Sequence, residues 1–350
     1  MVKRVTFAVP GSLDTPTGGY AYDRRIIAEL RQLGWSVECL NIGEGFPAPD
    51  AATRSAARAL LSAISAGEPI VLDGLALGVL PDVAAELARK HPLVALVHHP
   101  LALESGLTAG RADALRHSER AALAEVREVV VTSPATAELV ASGYGVPAAR
   151  ITVARPGNDP APQVARHPND MPHLLSVGAV TPRKGFGVLV DALATLPDLP
   201  WRLTIVGDIT RNPEEAAKLQ ENISRHHLTS RIELTGAVSQ ARLDKLYSGA
   251  DLFVLASRFE GYGMAYTEAL SYGLPVIGTT AGAIPDTIPQ GAGLLVPPDD
   301  SAALAAALRG VIVDTEQRRR LSEAASVAAR TLPTWQDSAA IFAATLDRLA

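Results

Sequence analysis

Cysteine is almost absent: Cys39 is the only one among 350 residues, which excludes an intrachain disulfide and any multi-cysteine metal site. Positive charge is in deficit. Thirty-two Lys and Arg against 37 Asp and Glu leave a net charge of -5, and nucleic acid is therefore not an expected partner, since phosphate backbones call for a basic stripe. No apolar run approaches the roughly 18 residues needed to span a bilayer. The amino-terminal stretch MVKRVTFAVPGS carries a basic pair, but its apolar run is far too short for a signal peptide, so the expected address is the cytoplasm. Short-period repeats, low-complexity tracts and the GxGxxG dinucleotide fingerprint are also missing.

What is present is an ordinary globular composition, 47% hydrophobic and 20% charged, at a length that suits two domains of about 150 to 200 residues. Short apolar segments alternate with amphipathic ones. VTFAVPG at 5–11 predicts a buried strand, and TGGYAYDRRIIAELRQLGW predicts a loop and then a helix with Ile26, Ile27, Leu30 and Leu33 on one face and Gly34 as its stop. SVECLNI, PIVLDG, PLVALVHH, EVVVTS and RITVARPG predict further strands, with helices at 80–90, about 108–126 and 134–142. Continuous apolar strands between helices mean a parallel sheet covered on both faces, one Rossmann-like unit.

NDPAPQVARHPNDMP at 158–172 breaks the periodicity and predicts a linker. The alternation then restarts. HLLSVGAV, WRLTIVGD, RIELTGAV, DLFVLAS, PVIGT and GAGLLVPP predict strands; helices are expected at 185–196, 213–227, 239–248, 263–272 and from Ser301. TWQDSAAIFAATLDRLA predicts a closing helix. Two α/β units of this kind hold ligands at the carboxyl ends of their strands, so the loops there are where chemistry is expected.

Four loops qualify. In TPTGGY, Gly18 and Gly19 allow close backbone approach to a ligand ahead of helix amides, although a plain tight turn explains the pair equally well. In LVHHPLALE, His98 and His99 end a strand. Backbone-satisfied histidines are the simpler account there, and no further ligand stands at a spacing that completes a zinc site. In VGAVTPRKGFG, Arg183 and Lys184 precede a helix start, an arrangement that suits a diphosphate, although an RK dipeptide is commonly just a solvated pair. In SRFEGYGMAYTEALSYGLPVIG, Glu260 sits in a loop freed by Gly261 and Gly263, and Glu268 falls one to two turns into the next helix. Glu268 is explicable as a helix charge, whereas Glu260 has no evident structural duty. A two-carboxylate hydrolase would need both groups flanking one glycosidic bond and leaves the Arg-Lys pair without a role.

These stretches resemble a known family. EGYGMAYTE followed by ALSYGLPVIG resembles the E-x7-E motif of retaining, nucleotide-sugar-dependent glycosyltransferases of family 4; VGAVTPRKG resembles their diphosphate loop, and TGGY and LVHH their amino-terminal donor and acceptor loops. The resemblance implies the GT-B fold: two Rossmann-like domains facing across a cleft, residues 1–160 for the acceptor and 161–333 for the donor, with a helix at 334–350 crossing back to the first. It implies that Arg183 and Lys184 neutralise the departing diphosphate, that Glu260 holds sugar hydroxyls, and that Glu268 holds the ribose. Gly261, Tyr262, Gly263 and Met264 would line the donor and offer backbone amides, Gly18 and Gly19 would lie near the phosphates, Val238 near the nucleobase, and His98 near the reacting carbon.

The same resemblance implies transfer with retention, no metal ion and no cofactor beyond the nucleotide-sugar co-substrate, with UDP favoured over GDP. The acceptor, a hydroxyl on a small molecule, glycan or lipid, is not legible, nor is the oligomeric state. Lipid acceptors bring family members to the inner membrane face; here the arginines at 24, 25, 31, 54 and 58 have acids nearby, which favours a soluble acceptor. The rival class is a non-catalytic homologue acting as a binding or partner subunit, against which stands the presence of Arg183, Lys184, Glu260 and Glu268 together.

Overall fold

In the computed structural model, which describes residues 3–161 and 171–349, the chain divides into two units: Met1–Gly157 with Pro333–Ala350, and Asn158–Leu332. Most of the expected linker, residues 162–170, lies outside the described residues.

The first unit runs β1 (Arg4–Val9), α1 (Gly18–Gln32), β2 (Ser36–Asn41), α2 (Ala51–Ser62), β3 (Ile70–Asp73), α3 (Gly74–Leu77), α4 (Pro81–Ala88), β4 (Leu93–Val97), α5 (Ala109–Glu125), β5 (Glu128–Val131), α6 (Pro134–Tyr144) and β6 (Ile151–Val153). All strands pair parallel in the order β2-β1-β3-β4-β5-β6. β3 and β4 are buried along their whole length because helices cover both sheet faces, which is why IVLD and LVALV are uninterrupted apolar runs up to Asp73. The chain winds outward from β1 to β2, then returns to lay β3 on β1's other side. The reversal point of the sheet therefore lies between β1 and β3, the place where such sheets open a crevice.

The second unit runs β7 (His173–Val177), α7 (Phe186–Ala194), β8 (Arg202–Val206), α8 (Pro213–Arg225), β9 (Ile232–Gly236), α9 (Gln240–Gly249), β10 (Leu252–Val254), α10 (Met264–Ser271), β11 (Val276–Thr279), α11 (Ile284–Thr287), β12 (Gly293–Val296), α12 (Ser301–Val313) and α13 (Thr315–Ala329). Its parallel sheet has the order β12-β11-β10-β7-β8-β9, with the reversal between β7 and β10. The loops that follow these two strands carry Arg183–Lys184 and Glu260.

The last helix, α14 (Trp335–Asp347), belongs to the first unit. It packs on α1 and β1: Phe342 meets Phe7 at 5.5 Å between ring centroids, and Trp335 meets Tyr22 at 6.0 Å. Its start is fixed by a capping box between Thr334 and Asp337, and Gly157 has no room for a side chain, since a Cβ there would stand 2.2 Å from the Trp335 nitrogen. Two full helices, α2 and α13, went unmarked by the apolar pattern; both are rich in alanine with few large apolar residues, and α2 buries only Ala57 and Leu61. Among the described residues, no helix is long and apolar enough to cross a membrane.

Candidate active site

In the second unit, β7 ends at Val177 and the chain makes a short 3-10 turn at Pro182–Lys184 before α7. Gly185 joins turn to helix at φ +65, and a Cβ on it would lie 2.0 Å from the Ala256 carbonyl oxygen. Only glycine accepts both that backbone and that approach. The turn is thereby pressed against the chain leaving β10, and the Arg258 amide donates to the Arg183 carbonyl at 2.8 Å.

That contact delivers the cations to Glu260. Lys184 Nζ donates to Glu260 Oε1 at 2.6 Å, and Arg183 Nη1 donates to Oε2 at 3.0 Å and to the Phe259 carbonyl at 2.9 Å. The Ser257 hydroxyl, donating to Oε1 at 2.7 Å, is the third donor to this carboxylate. Glu260 is 6% exposed, and its carbonyl accepts from the Ala283 amide at 2.9 Å. Burial by itself pushes this carboxyl up, but Lys184 and then Arg183 more than offset it and hold the group at about 2. Glu260 therefore does have a structural duty, contrary to its appearance in the sequence: it is the counter-ion that locks two cations at a strand-end loop.

Glu268 is placed differently. It lies on α10, whose first residue is Met264 and whose N-cap, Gly263 at φ +94, provides no side-chain cap. Glu268 Oε2 accepts the Tyr247 hydroxyl at 2.9 Å, and Tyr247 stacks on Tyr272 at 5.2 Å. Burial pushes the Glu268 carboxyl up; the Tyr247 hydrogen bond opposes this, and Asp159 and Asp244 add to the rise. The side chain of Tyr262 is buried and its carbonyl accepts the Thr287 hydroxyl at 2.6 Å, so the backbone around Gly261 and Tyr262 is held from behind. Val238, just past the β9 end at Gly236, is half-buried against the core of this unit.

In the first unit, Gly18 and Gly19 are not a loop but the first turn of α1, with Thr17 as N-cap accepting from the Tyr20 amide. The use of Gly19 is clearance: a Cβ there would stand 3.2 Å from His98 Cδ2. His98 Nε2 lies 3.1 Å from Asp23 Oδ1 and 3.9 Å from Asp73 Oδ2. Among the described residues these three form a group whose potential metal-ligating atoms all lie within 4.8 Å of one another. The partners that sequence spacing could not supply to His98 thus come from α1 and from the end of β3. Both left a signal. Asp23 interrupts the buried stripe Tyr22, Ile26, Ile27, Leu30, and Asp73 ends an apolar strand in the same way that His98 does. His99 turns instead to Glu104, at 3.4 Å. Arg54 and Arg58 pair with Asp82 on α4, a partner remote in sequence.

A cavity of about 410 Å³ lies at the other, amino-terminal edge of the second sheet, lined by His173, Arg202, Glu233, Arg242 and Lys245 among others. It is far along the strands from the Glu260 cluster. The carboxyl-end loops hold the preorganised charges and a buried carboxylate, so the site is placed there.

Residues 158–327 match the family described as Glycosyl transferases group 1, and residues 24–161 match Glycosyltransferase Family 4. Each of the two α/β units is thus matched along most of its length by a glycosyltransferase family model. Among curated relatives, the D-inositol 3-phosphate glycosyltransferase of Pseudarthrobacter chlorophenolicus is 33% identical over 230 residues, 61% of this chain and 54% of that protein. The chain spans about half the length of the curated relatives it matches. Among solved structures, sucrose-phosphate synthase from Thermosynechococcus elongatus matches with a TM-score of 0.85 at 21% identity, covering 99% of each chain. The Anabaena protein HepE, solved with UDP-glucose, matches at 0.78 with 20% identity and the same coverage. At such identities the likeness is one of fold: this chain has the two parallel six-stranded sheets of GT-B structures.

Proposed function

We propose that this protein is a retaining, metal-independent glycosyltransferase that moves a hexosyl group from a nucleotide diphosphate sugar to a hydroxyl acceptor. The observation that carries the reading is the cluster of Arg183, Lys184 and Glu260, two cations fixed by one buried carboxylate at a strand-end loop beside the sheet's reversal point. Such preorganised cations are what a departing diphosphate requires, because they need no rearrangement as its charge develops. In the proposed step, the bond from the anomeric carbon to the diphosphate oxygen breaks with its electron pair on the diphosphate. The acceptor oxygen bonds the same carbon from the same face, and its proton passes to a phosphate oxygen.

Within that step Arg183 and Lys184 share their hydrogen bonds between Glu260 and the diphosphate, and Glu260 turns its remaining accepting capacity to sugar hydroxyls. Glu268 accepts ribose hydroxyls, the amides around Gly261, Gly263 and Met264 meet phosphate or sugar oxygens, Val238 meets the base, and His98 meets the sugar. UDP is favoured over GDP; the likeness to HepE with its UDP-glucose supports that choice. A cytoplasmic address belongs to the same reading.

Thermal unfolding of the purified protein with UDP, GDP, ADP and UDP-glucose tests it. A ligand at about 100 times its Kd adds about 2.7 kcal/mol to the folded state and raises Tm visibly. UDP and UDP-glucose are expected to raise it, and the anomeric proton coupling of the transferred sugar is expected to match that of the donor. No shift with any nucleotide turns the assignment to a non-catalytic homologue; an inverted product removes the retaining step.

A further inference from the structure

Beneath the His98 ring lie two buried carboxylates. Asp23, from α1, is 0% exposed, and Asp73, at the end of β3, is 3% exposed. His98 Nε2 faces both, closer to Asp23. The other Asp23 oxygen, Oδ2, is buried with no hydrogen-bond partner. Two ionised carboxylates against a single imidazole in so closed a place repel each other and lack solvation, and a buried charge without a partner is strongly disfavoured. One proton held by the pair relieves the repulsion and offers the orphaned oxygen a donor.

The rest of the surroundings fixes the ring and adds no further charge. Tyr22 stands edge-on to it, at 5.5 Å and 82°, with its phenol kept neutral by burial and donating to the Ala154 carbonyl. The Gly19 backbone lies against Cδ2, and the Thr132 hydroxyl donates to the His98 carbonyl at 3.3 Å. From α14, Trp335 packs on Tyr22 and carries Arg25 over its own ring. His99 is engaged by Glu104. With Nε2 committed to Asp23, Nδ1 has no protein partner among the described residues.

We propose that Asp23 is the positioning residue of His98: it takes the Nε2 hydrogen, shares one proton with Asp73 beneath the ring, and leaves Nδ1 as the atom that meets the donor sugar. What Nδ1 meets rests on the glycosyltransferase function proposed above; the arrangement beneath the ring does not. The charge balance agrees with it. Burial disfavours a charged His98, but Asp23 and then Asp73 outweigh burial and raise it above an ordinary histidine. Asp73 is pushed up to about 7 by burial, then by the Asp23 charge and its hydrogen bond, against the pull of His98 and the Leu75 amide. The imidazolium form of His98 is thereby favoured, and in that form Nδ1 carries a hydrogen to donate. Without the acids the ring would be neutral near neutral pH, and Nδ1 would accept rather than donate.

The test is a histidine-selective NMR titration of the full-length protein without ligands, with the His98 signal assigned by its loss in His98→Gln. Wild-type His98 is expected to titrate above an ordinary histidine and, once neutral, to keep its proton on Nε2. Asp23→Asn is expected to lower the titration, and Asp73→Asn to lower it less. An unchanged titration in Asp23→Asn, or a neutral ring protonated on Nδ1, overturns the proposal. So does a Mn2+ or Zn2+ ion that binds wild type at one equivalent and not Asp23→Asn, because the trio would then be a metal site. Should Asp23→Asn fail to fold by circular dichroism, the wild-type tautomer and Asp73→Asn decide. With UDP-glucose as donor, Asp23→Asn is expected to lower kcat about tenfold and shift the alkaline limb of the pH profile downward while UDP affinity holds. If no donor sugar is consumed by wild type, the proposed function fails and the NMR result still stands or falls alone.

Discussion

Lys184 Nζ lies 2.6 Å from Glu260 Oε1 across 76 positions of sequence. The pair joins the loop after β7 to the loop after β10, and those strands are neighbours only because the sheet reverses between them. A lysine tethered in this way loses less freedom on meeting a phosphate than a solvated one, and its stem is guided further by Gly178, where a Cβ would stand 3.0 Å from Lys184 Cε.

Lys184→Ala is expected to cut turnover of a nucleotide-sugar donor by about 10²-fold or more, the scale seen on removing a preorganised group that stabilises transition-state charge. Steady-state kinetics with pure donor checks it. Turnover within a factor of two of wild type would mean that the lysine serves Glu260 and not the leaving group.

Glu260→Gln separates the sugar from the nucleotide. Removing the counter-ion leaves Arg183 and Lys184 more available to phosphate, so free UDP is expected to bind at least as tightly as before while turnover of the UDP-sugar falls. Calorimetry with UDP alongside kinetics reads both; equal losses would show that the carboxylate does not discriminate between them. The same variant reports on stability. The folded-state value of about 2 lies below the ordinary 4.5, so the ion cluster's contribution is fully present above the higher value and is lost as pH falls through the lower one. Wild type is therefore expected to exceed Glu260→Gln in Tm at pH 6, and the gap is expected to close progressively between pH 4.5 and about 2.

Much of this was legible beforehand, and for a physical reason. In a doubly covered parallel sheet the strands are unbroken apolar runs, so IVLD, LVALV and DLFVLAS announce themselves, and the rule that ligands gather at strand carboxyl ends then points to His98, Arg183 and Glu260. Pairing was not legible. Nothing in the local pattern says that Glu260 neutralises Arg183 and Lys184, because that contact depends on strand order, and strand order depends on which side of β7 the chain returns to. Asp23 is legible only in part for a related reason: its place in an apolar helical stripe marks it as unusual, but its role shows only once the partner from another strand is known. Paired glycines usually break helices, so the sequence predicts a loop at Gly18 and Gly19; the first turn of α1 tolerates them instead, and His98 requires the space.

Two glycines, one joining the turn to α7 and one inside α7, give a controlled comparison. Gly185→Ala forces a Cβ to 2.0 Å from the Ala256 carbonyl at a left-handed φ of +65, so it is expected to destabilise by about 3 kcal/mol or more and to weaken UDP binding, because the turn that presents Lys184 must move. Gly187→Ala, two residues on in α7, meets nothing within 4 Å and is expected to leave stability unchanged or raise it by about 0.5–1 kcal/mol. Urea unfolding of both variants checks the contrast. Similar losses in the two would mean that helix packing, not the Ala256 contact, sets the geometry of the turn.

Glu268 offers a pH handle on the nucleotide alone. Burial raises its carboxyl, and the Tyr247 hydroxyl, donating at 2.9 Å, is the interaction that most restrains the rise. If the ionised carboxylate accepts ribose hydroxyls, UDP affinity must fall as pH drops through the Glu268 value, since a protonated carboxyl gives up accepting capacity. Tyr247→Phe removes the restraint, so the loss of affinity is expected to begin at a higher pH than in wild type, while affinity at alkaline pH changes little. Inorganic pyrophosphate, which has no ribose, is expected to show no such displacement between the two proteins. A Tyr247→Phe profile that moves equally for UDP and pyrophosphate would place the effect at the phosphate cations and take Glu268 away from the ribose.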